Sequence, residues 1–570
     1  MKKRYVLVQF IRHCLQLDFA VTISSLLGVP FPFGSIGKIN AELFALAVGD
    51  RANLGDKSDD LKMKESWIFD YTNALCVNAW QVKRYIDIYS SSSIIGFPPE
   101  DMLRLTELFT RSVQTWTLMP SGNETREAKL AAIRNQIDAF STFLSAVVDL
   151  SRSKWTEFDM NQMAIGLGLM ILSIILSILV IQKVLSLLCY TEFSQDLVMA
   201  LAIVLIRACS FLSNSYILEE GKVAIFLLAT SGVIKLRIAL IRKKMVFEAS
   251  LFLLISLFIR ISIEAGIAKQ AETSFFLSPT SSWISGITHI HPFLKYAMHF
   301  APFIALFFIP LLSARYVLSL RSSKFLVFIF MGSLISYIII AFHWLTPLGK
   351  TALPRIIYAI CLLQLTTLLP MAFFREKPVY PKYVACLVST WTPTVILLSG
   401  KQGPLLALSF LIGGYCIARL SSVYEEGRVF DPFAIVQWHL LSVSFFFASG
   451  HWCGFDGLRY GAAFIGFDEF NLQRQAILLA IDTFGFSHII PIFALPMLTA
   501  RSPQSGIALS LGFMAYGVCA TFVAVLSMIC VAIQRRHLMV WGLFAPKFVF
   551  DVVGLLISDF FILVASFFYI

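Results

Sequence analysis

The stretch Met163–Ile181, MAIGLGLMILSIILSILVI, contains no charged residue across nineteen positions. A helix rises about 1.5 Å per residue, so such a run reaches about 28 Å, close to the thickness of a bilayer's hydrocarbon core. It reads as a transmembrane helix. Before it, residues up to about Asp159 mix charged and apolar side chains as soluble regions do, whereas nearly every later window of membrane-spanning length is apolar. Composition agrees: 57% of the 570 residues are hydrophobic and 14% charged, and mean hydropathy is +0.76. About thirteen candidate spans follow Asp159, centred on Leu172, Leu205, Leu227, Leu254, Ile304, Ile335, Leu362, Val395, Ser409, Leu441, Phe486, Val518 and Leu556. They are continuously apolar and lack the period-two alternation of membrane strands, which indicates helices rather than a barrel. The expected fold is an all-α polytopic membrane protein, a bundle of about thirteen transmembrane helices after a short helical N-terminal region.

Basic residues between the spans give an orientation. Arg242, Lys243 and Lys244, then Arg315, Arg321 and Lys324, then Arg375, Lys377 and Lys382 fall on one side of the expected bundle. By the positive-inside rule that side is cytosolic, so the N-terminal region, the Glu219–Lys222 turn and the Gln270–His291 loop are expected in the lumen. Lys350 and Arg355, and later Arg535, Arg536 and His537, fall on the lumenal side against this majority. Asn123-Glu124-Thr125 then becomes a glycosylation acceptor with its asparagine on the permitted side. The surrounding region is helical in pattern. Leu130, Ile133, Ile137, Phe140, Leu144 and Val147 form one stripe, Trp67–Ile88 and Met102–Trp116 show looser helical spacing, and Pro98-Pro99-Glu100 reads as a loop leading into a helix. Packing beside the membrane is the simplest role for these helices.

Composition also excludes several functions. The net charge of +11 is spread over cytosolic loops, as membrane topology requires, so no nucleic-acid partner is expected. Ten cysteines include no CxxC pair and no zinc-like spacing; those near spans are small hydrophobes, and a disulfide among Cys14, Cys76 and Cys453 has no support from spacing. Met1–Gln9 starts basic, but the following apolar run breaks at Arg12 and His13 and is too short to insert. No internal repeat or pair of broken helices marks a transporter. Two-metal phosphoryl chemistry needs a hydroxyl nucleophile and several Asp and His ligands, yet His13 is the one histidine before Met163. There is no phosphate-cradling GxxxxGKS loop either. No catalytic residue and no metal ligand is therefore assigned. Charges inside spans are costly and functional by default. Arg260 and Glu264 share a helix face and can neutralise each other, while Arg207, Asp482, Asp551 and Asp559 are expected to pair across helices. His343 and His488, the latter beside Pro491 in an interrupted helix, are expected to pack.

One loop is richer. Ser449-Gly450-His451-Trp452 is followed by Gly454-Phe455-Asp456, then by Arg459 and the run to Phe464-Ile465-Gly466-Phe467. His451, Asp456 and Arg459 are candidate substrate-binding residues at the depth of lipid headgroups, with anchoring of helix ends as the plain alternative. Near the N-terminus, Gln16–Leu46 reads QLDFAVTISSLLGVPFPFGSIGKINAELFAL, a short helix closed by Gly28 and followed by Pro30 and Pro32. Near the C-terminus stand RRHLMVW (Arg535–Trp541) and FAPKF (Phe544–Phe548). Taken in order, these three segments resemble the GPI ethanolamine phosphate transferases, most of all the branch that modifies the third mannose.

The resemblance implies a lumenal alkaline-phosphatase-like domain with a threonine nucleophile and two zinc-type metals in full-length members, followed by a multi-span domain. It implies phosphatidylethanolamine and GPI precursor lipids as substrates, the endoplasmic reticulum membrane as location, and a small membrane subunit as stabilising partner. In the family the nucleophile and metal-ligand motifs precede the position of Asp18. The chain is accordingly read as residues 1–50, the end of that catalytic domain, 51–160, lumenal juxtamembrane helices, and 161–570, the multi-span domain, with no cofactor of its own. A transporter or lipid flippase, and a noncatalytic membrane scaffold, are the alternatives.

Overall fold

A computed structural model describes residues 17–52, 60–92, 97–117, 126–156, 159–188, 195–271, 300–312, 324–346, 349–373, 380–425, 428–500, 502, 504–535 and 540–569. Asn123, Cys14, the Met1–Gln9 start, Arg315, Arg321, Arg375, Lys377, Arg536, His537 and nearly all of the Gln270–His291 loop lie outside them. Among the described residues every regular element is helical. The chain divides into two compact units, Met1–Phe158 and Asp159–Ile570.

In the first unit the helix Asp18–Leu27 ends where Gly28 turns left-handed at φ 68°. The extended stretch after it has carbonyls that need donors, and one helix face supplies them. From Asp60–Ser92, Gln81 Nε2 donates to the Phe33 and Ser35 carbonyls at 2.7 and 2.9 Å, Asn78 Nδ2 to Gly37 O at 3.2 Å, and Tyr71 Oη to Ile39 O at 3.1 Å. Gly37 must be glycine, because a Cβ there would lie 2.1 Å from the Leu17 carbonyl oxygen. On the other side, Asp18 Oδ1 accepts from the Lys38 N–H at 2.9 Å, while burial raises its carboxyl pKa. Val21, Ile36, Leu75, Val82, Phe109, Phe140, Leu144 and Val147 fill one core. The expected stripe on Arg126–Thr156 is thus the buried face of that helix, and residues on both sides of position 50 share the core.

The second unit is the helical bundle. Nine of its described helical segments are long and apolar enough to cross a membrane. Eight of the thirteen expected centres lie one to a segment, and Val395 and Ser409 share the continuous Tyr383–Leu420 segment. Leu205, Ile304 and Leu441 fall in the shorter helices Gln195–Ser210, Phe300–Leu312 and Pro432–Ala448. Large apolar side chains such as Leu169, Leu176, Phe226 and Leu563 point outward, as expected where the solvent is lipid. Backbones approach closely at small residues, as membrane helices favour: a Cβ on Gly266 would meet Gly450 Cα at 3.1 Å, and one on Gly221 would meet Phe447 Cγ at 2.7 Å. One end of the bundle carries Arg419 on Glu248 and Arg428 on Asp196, at 3.3 and 3.4 Å. The other carries the loop from Ser449 to Asn471.

Candidate functional site

At that second end two polar clusters are buried. The first is built on Asp482, whose side chain is inaccessible to solvent. His451 Nε2 lies 3.2 Å from Asp482 Oδ2, and Ser449 Oγ lies 3.0 Å from His451 Nδ1. The Arg459 guanidinium holds both carboxylate oxygens of Asp482, with Nε at 3.0 Å from Oδ2. Burial lowers the His451 pKa, and the bond to Asp482 opposes that shift. Glycine 450 turns the chain at φ 85°, which lets the loop fold back over the helix end. Asp456 faces elsewhere: it accepts from Trp452 Nε1 at 3.0 Å.

The loop's closing residues are pinned from the helix Ala352–Phe373. Arg355 Nε donates to Gly466 O at 2.7 Å and Tyr358 Oη to Ile465 O at 3.1 Å. Phe467 sits between two guanidinium groups, 5.1 Å from Arg355 and 4.1 Å from Arg474. Arg355, which departs from the basic majority, is therefore tied to the loop. Beneath Asp482 the helix Leu472–Phe484 continues as a π-helical turn, Gly485–Ile489, and then as Ile490–Ala494. Pro491 has no N–H to return to the preceding turn, and the Ser487 carbonyl takes the Tyr516 hydroxyl at 3.5 Å instead. The expected interruption near His488 is this turn, a feature common at functional sites.

The second cluster joins four charged residues from three helices. Glu220, the first residue of its helix rather than part of a free turn, takes Arg207 Nη2 on Oε1 at 2.9 Å and Lys547 Nζ at 3.0 and 2.8 Å on its two oxygens. Lys547 Nζ also lies 2.6 Å from Asp551 Oδ1, and Ser527 Oγ donates to Asp551 Oδ2. The Cys453 thiol lies 3.9 Å from Glu220 Oε2, and burial raises its pKa, keeping it protonated. Two cations and two carboxylates balance, which a low-dielectric interior requires. Around them is a pocket of about 60 Å³, reaching His439, His488, Phe446 and Phe484.

The structure thus brings His451 and Arg459 together on Asp482 and leaves Asp456 outside the cluster. Arg207 pairs with Glu220 across helices, Asp482 pairs with His451 and Arg459 of the loop, and Asp551 pairs with Lys547 on its own helix and accepts from Ser527 of the neighbouring one; Arg260 pairs with Glu264 at 2.8 Å, and Asp559 lies on the exposed face of the last helix. Lys547 and Glu220 were missed as site residues, although Lys547 stands inside the FAPKF segment. Cys76 and Cys453 are free thiols. The two zinc-type metals implied by the resemblance have no donor set among the described residues, where no group of three or more His, Cys, Asp or Glu side chains is placed to hold a metal ion.

The chain is similar to the catalytic subunits of GPI ethanolamine phosphate transferase 3 from Mus musculus, 27% identical over 167 residues, and Homo sapiens, 26% over 171 residues. It is also similar to GPI ethanolamine phosphate transferase 3 of Saccharomyces cerevisiae, 27% over 176 residues. The matches cover 29 to 30% of this chain and 14 to 17% of the relatives' lengths. They establish a distant, partial homology to these proteins. No family model matches the chain, and no solved structure is similar to it.

Proposed function

We propose that this chain forms the membrane part of a GPI-anchor transferase of the endoplasmic reticulum, one that moves phosphoethanolamine from phosphatidylethanolamine to the third mannose of the GPI precursor. In that reaction the phosphoester bond to diacylglycerol breaks, a phosphodiester to the mannose hydroxyl forms, and the hydroxyl proton ends on diacylglycerol. The catalytic groups belong to the whole protein, and this chain gathers and orients lipids beside them. Its helices make about thirteen crossings, the short ones included, with the His451 end lumenal and the Arg242–Lys244 end cytosolic by the positive-inside rule.

One observation carries the reading: residues of two segments resembling the family, Ser449–Phe467 and Phe544–Phe548, meet at one end of the bundle, through Cys453 and Lys547 on Glu220. The charged pocket also suits a lipid flippase, and lipid scrambling by reconstituted protein without any GPI defect would favour that alternative. The test is His451→Ala and Asp482→Asn at the native gene, with GPI lipids profiled by mass spectrometry. Normal abundance with accumulated precursor lacking the third-mannose phosphoethanolamine is expected. Complete modification at normal abundance refutes the proposal.

A further inference from the structure

Arg207 stands between two cavities of different character. The charged pocket adjoins a narrow apolar slot lined by Ile203, Val204, Ala208, Phe522 and Leu526. Arg207, His439 and Val523 line both. Within the charged pocket the hydrogen bonding is one-sided. Every carboxylate oxygen of Glu220 and Asp551 already has a donor. By contrast Arg207 Nε and Nη1 and both ring nitrogens of His439 are buried without a partner, in side chains of residues only 7% and 8% exposed. Arg207 Nε and Nη1 carry three N–H bonds and no acceptor capacity.

A ligand that completes this pocket must bring oxygens that accept, preferably charged ones, since guanidinium bonds best to oxyanions. The slot beside it accepts only hydrocarbon. Bilayer lipids combine the two in one molecule, with their charged acceptor oxygens on phosphate. We propose that the pocket holds a phosphate-headed lipid, its phosphate oxygens on Arg207 and His439 and one acyl chain lying along the apolar lining of the slot. Arg207 Nη2 stays on Glu220 and Lys547 stays on both carboxylates, and the ammonium of a zwitterionic headgroup offsets its phosphate, so the cluster's charge balance is kept. This site deepens the transferase reading by giving a lipid substrate a place, and it rests on that reading only for which lipid is held.

The test measures binding, so it can succeed or fail independently of any GPI profile. The purified full chain in detergent is titrated with dioleoylphosphatidylethanolamine, with dioleoylglycerol, which lacks phosphate, and with inorganic phosphate, using native mass spectrometry to count bound molecules. The phospholipid should be retained, dioleoylglycerol should not, and excess inorganic phosphate should fail to displace the lipid. Arg207→Gln should weaken retention about tenfold or more through lost charge-assisted bonds. Val204→Trp, which fills the slot without touching a charge, should do the same. Monodispersity on size exclusion verifies the fold of each variant, and if neither variant folds, the wild-type comparison decides. Equal retention of dioleoylglycerol, unchanged binding in folded variants, or inorganic phosphate bound without the lipid would overturn the proposal.

Discussion

Replacing Lys547 by methionine tests the charged cluster at its hub. The Lys547 ammonium lies 2.8 Å from Glu220 Oε2 and 2.6 Å from Asp551 Oδ1, and the residue is 3% exposed. Methionine keeps similar bulk, so packing changes little, but two carboxylates are left with one guanidinium. Removing one partner from a buried pair costs about 3–5 kcal/mol, because an uncompensated charge remains. That is roughly two to four orders of magnitude in the ratio of folded to unfolded protein. SDS titration in mixed micelles, followed by tryptophan fluorescence, reads the shift. Lys547→Met with Asp551→Asn restores the one-to-one balance of Arg207 and Glu220, and coupling between the neighbours should return about 1–3 kcal/mol. A loss below about 1 kcal/mol for the single variant, or a double variant less stable than the single, would refute the reasoning.

Three further outcomes are expected. His451 has its pKa lowered by burial, so the folded state resists a proton that the unfolded state takes below about pH 6.5; stability present above that pH should be lost as pH falls toward the lowered folded value, with a slope of at most about 1.4 kcal/mol per unit. His451→Gln should remove this slope from a series of melts, and an unchanged slope would show that other groups cause it. Gly221→Val places a Cβ about 2.7 Å from Phe447; overpacking should cost about 1–3 kcal/mol in the same SDS titration, and a neutral result would mean the two helices separate easily there. Asn123→Gln should abolish an endoglycosidase-sensitive mobility shift, whereas unchanged mobility together with protease digestion of this region in sealed microsomes would reverse the proposed orientation.

The helices themselves were readable because hydrophobic length is a local property, and each of the thirteen expected centres falls in a described helix. The stripe ending in Phe140, Leu144 and Val147 was readable for the same reason, since period and burial coincide on one helix. Arg260 and Glu264 were legible as an i, i+4 pair. Lys547 and Glu220 were not, because 327 residues separate them and only tertiary packing brings the start of the last helix beside the start of a much earlier one. Glu220 looked like a turn residue because it follows Glu219 and precedes Gly221. Asp456 and Arg459 stand three apart, yet Arg459 reaches Asp482 while Asp456 turns to the Trp452 indole. Spacing in an irregular loop does not fix side-chain direction, which the glycine turns and the two pinned carbonyls decide. The π-helical turn has a sequence signal in Gly485 and Pro491, whereas the Tyr516 hydroxyl that takes the Ser487 carbonyl comes from a helix far along the chain.

The central claim is that this chain serves the step that adds phosphoethanolamine to the third mannose. The most direct measurement silences its gene in the cells that make it and resolves GPI precursors by mass spectrometry. The account predicts accumulation of precursors whose third mannose carries no phosphoethanolamine, with loss of GPI-anchored proteins from the cell surface. An unchanged precursor profile after the protein has disappeared would contradict it.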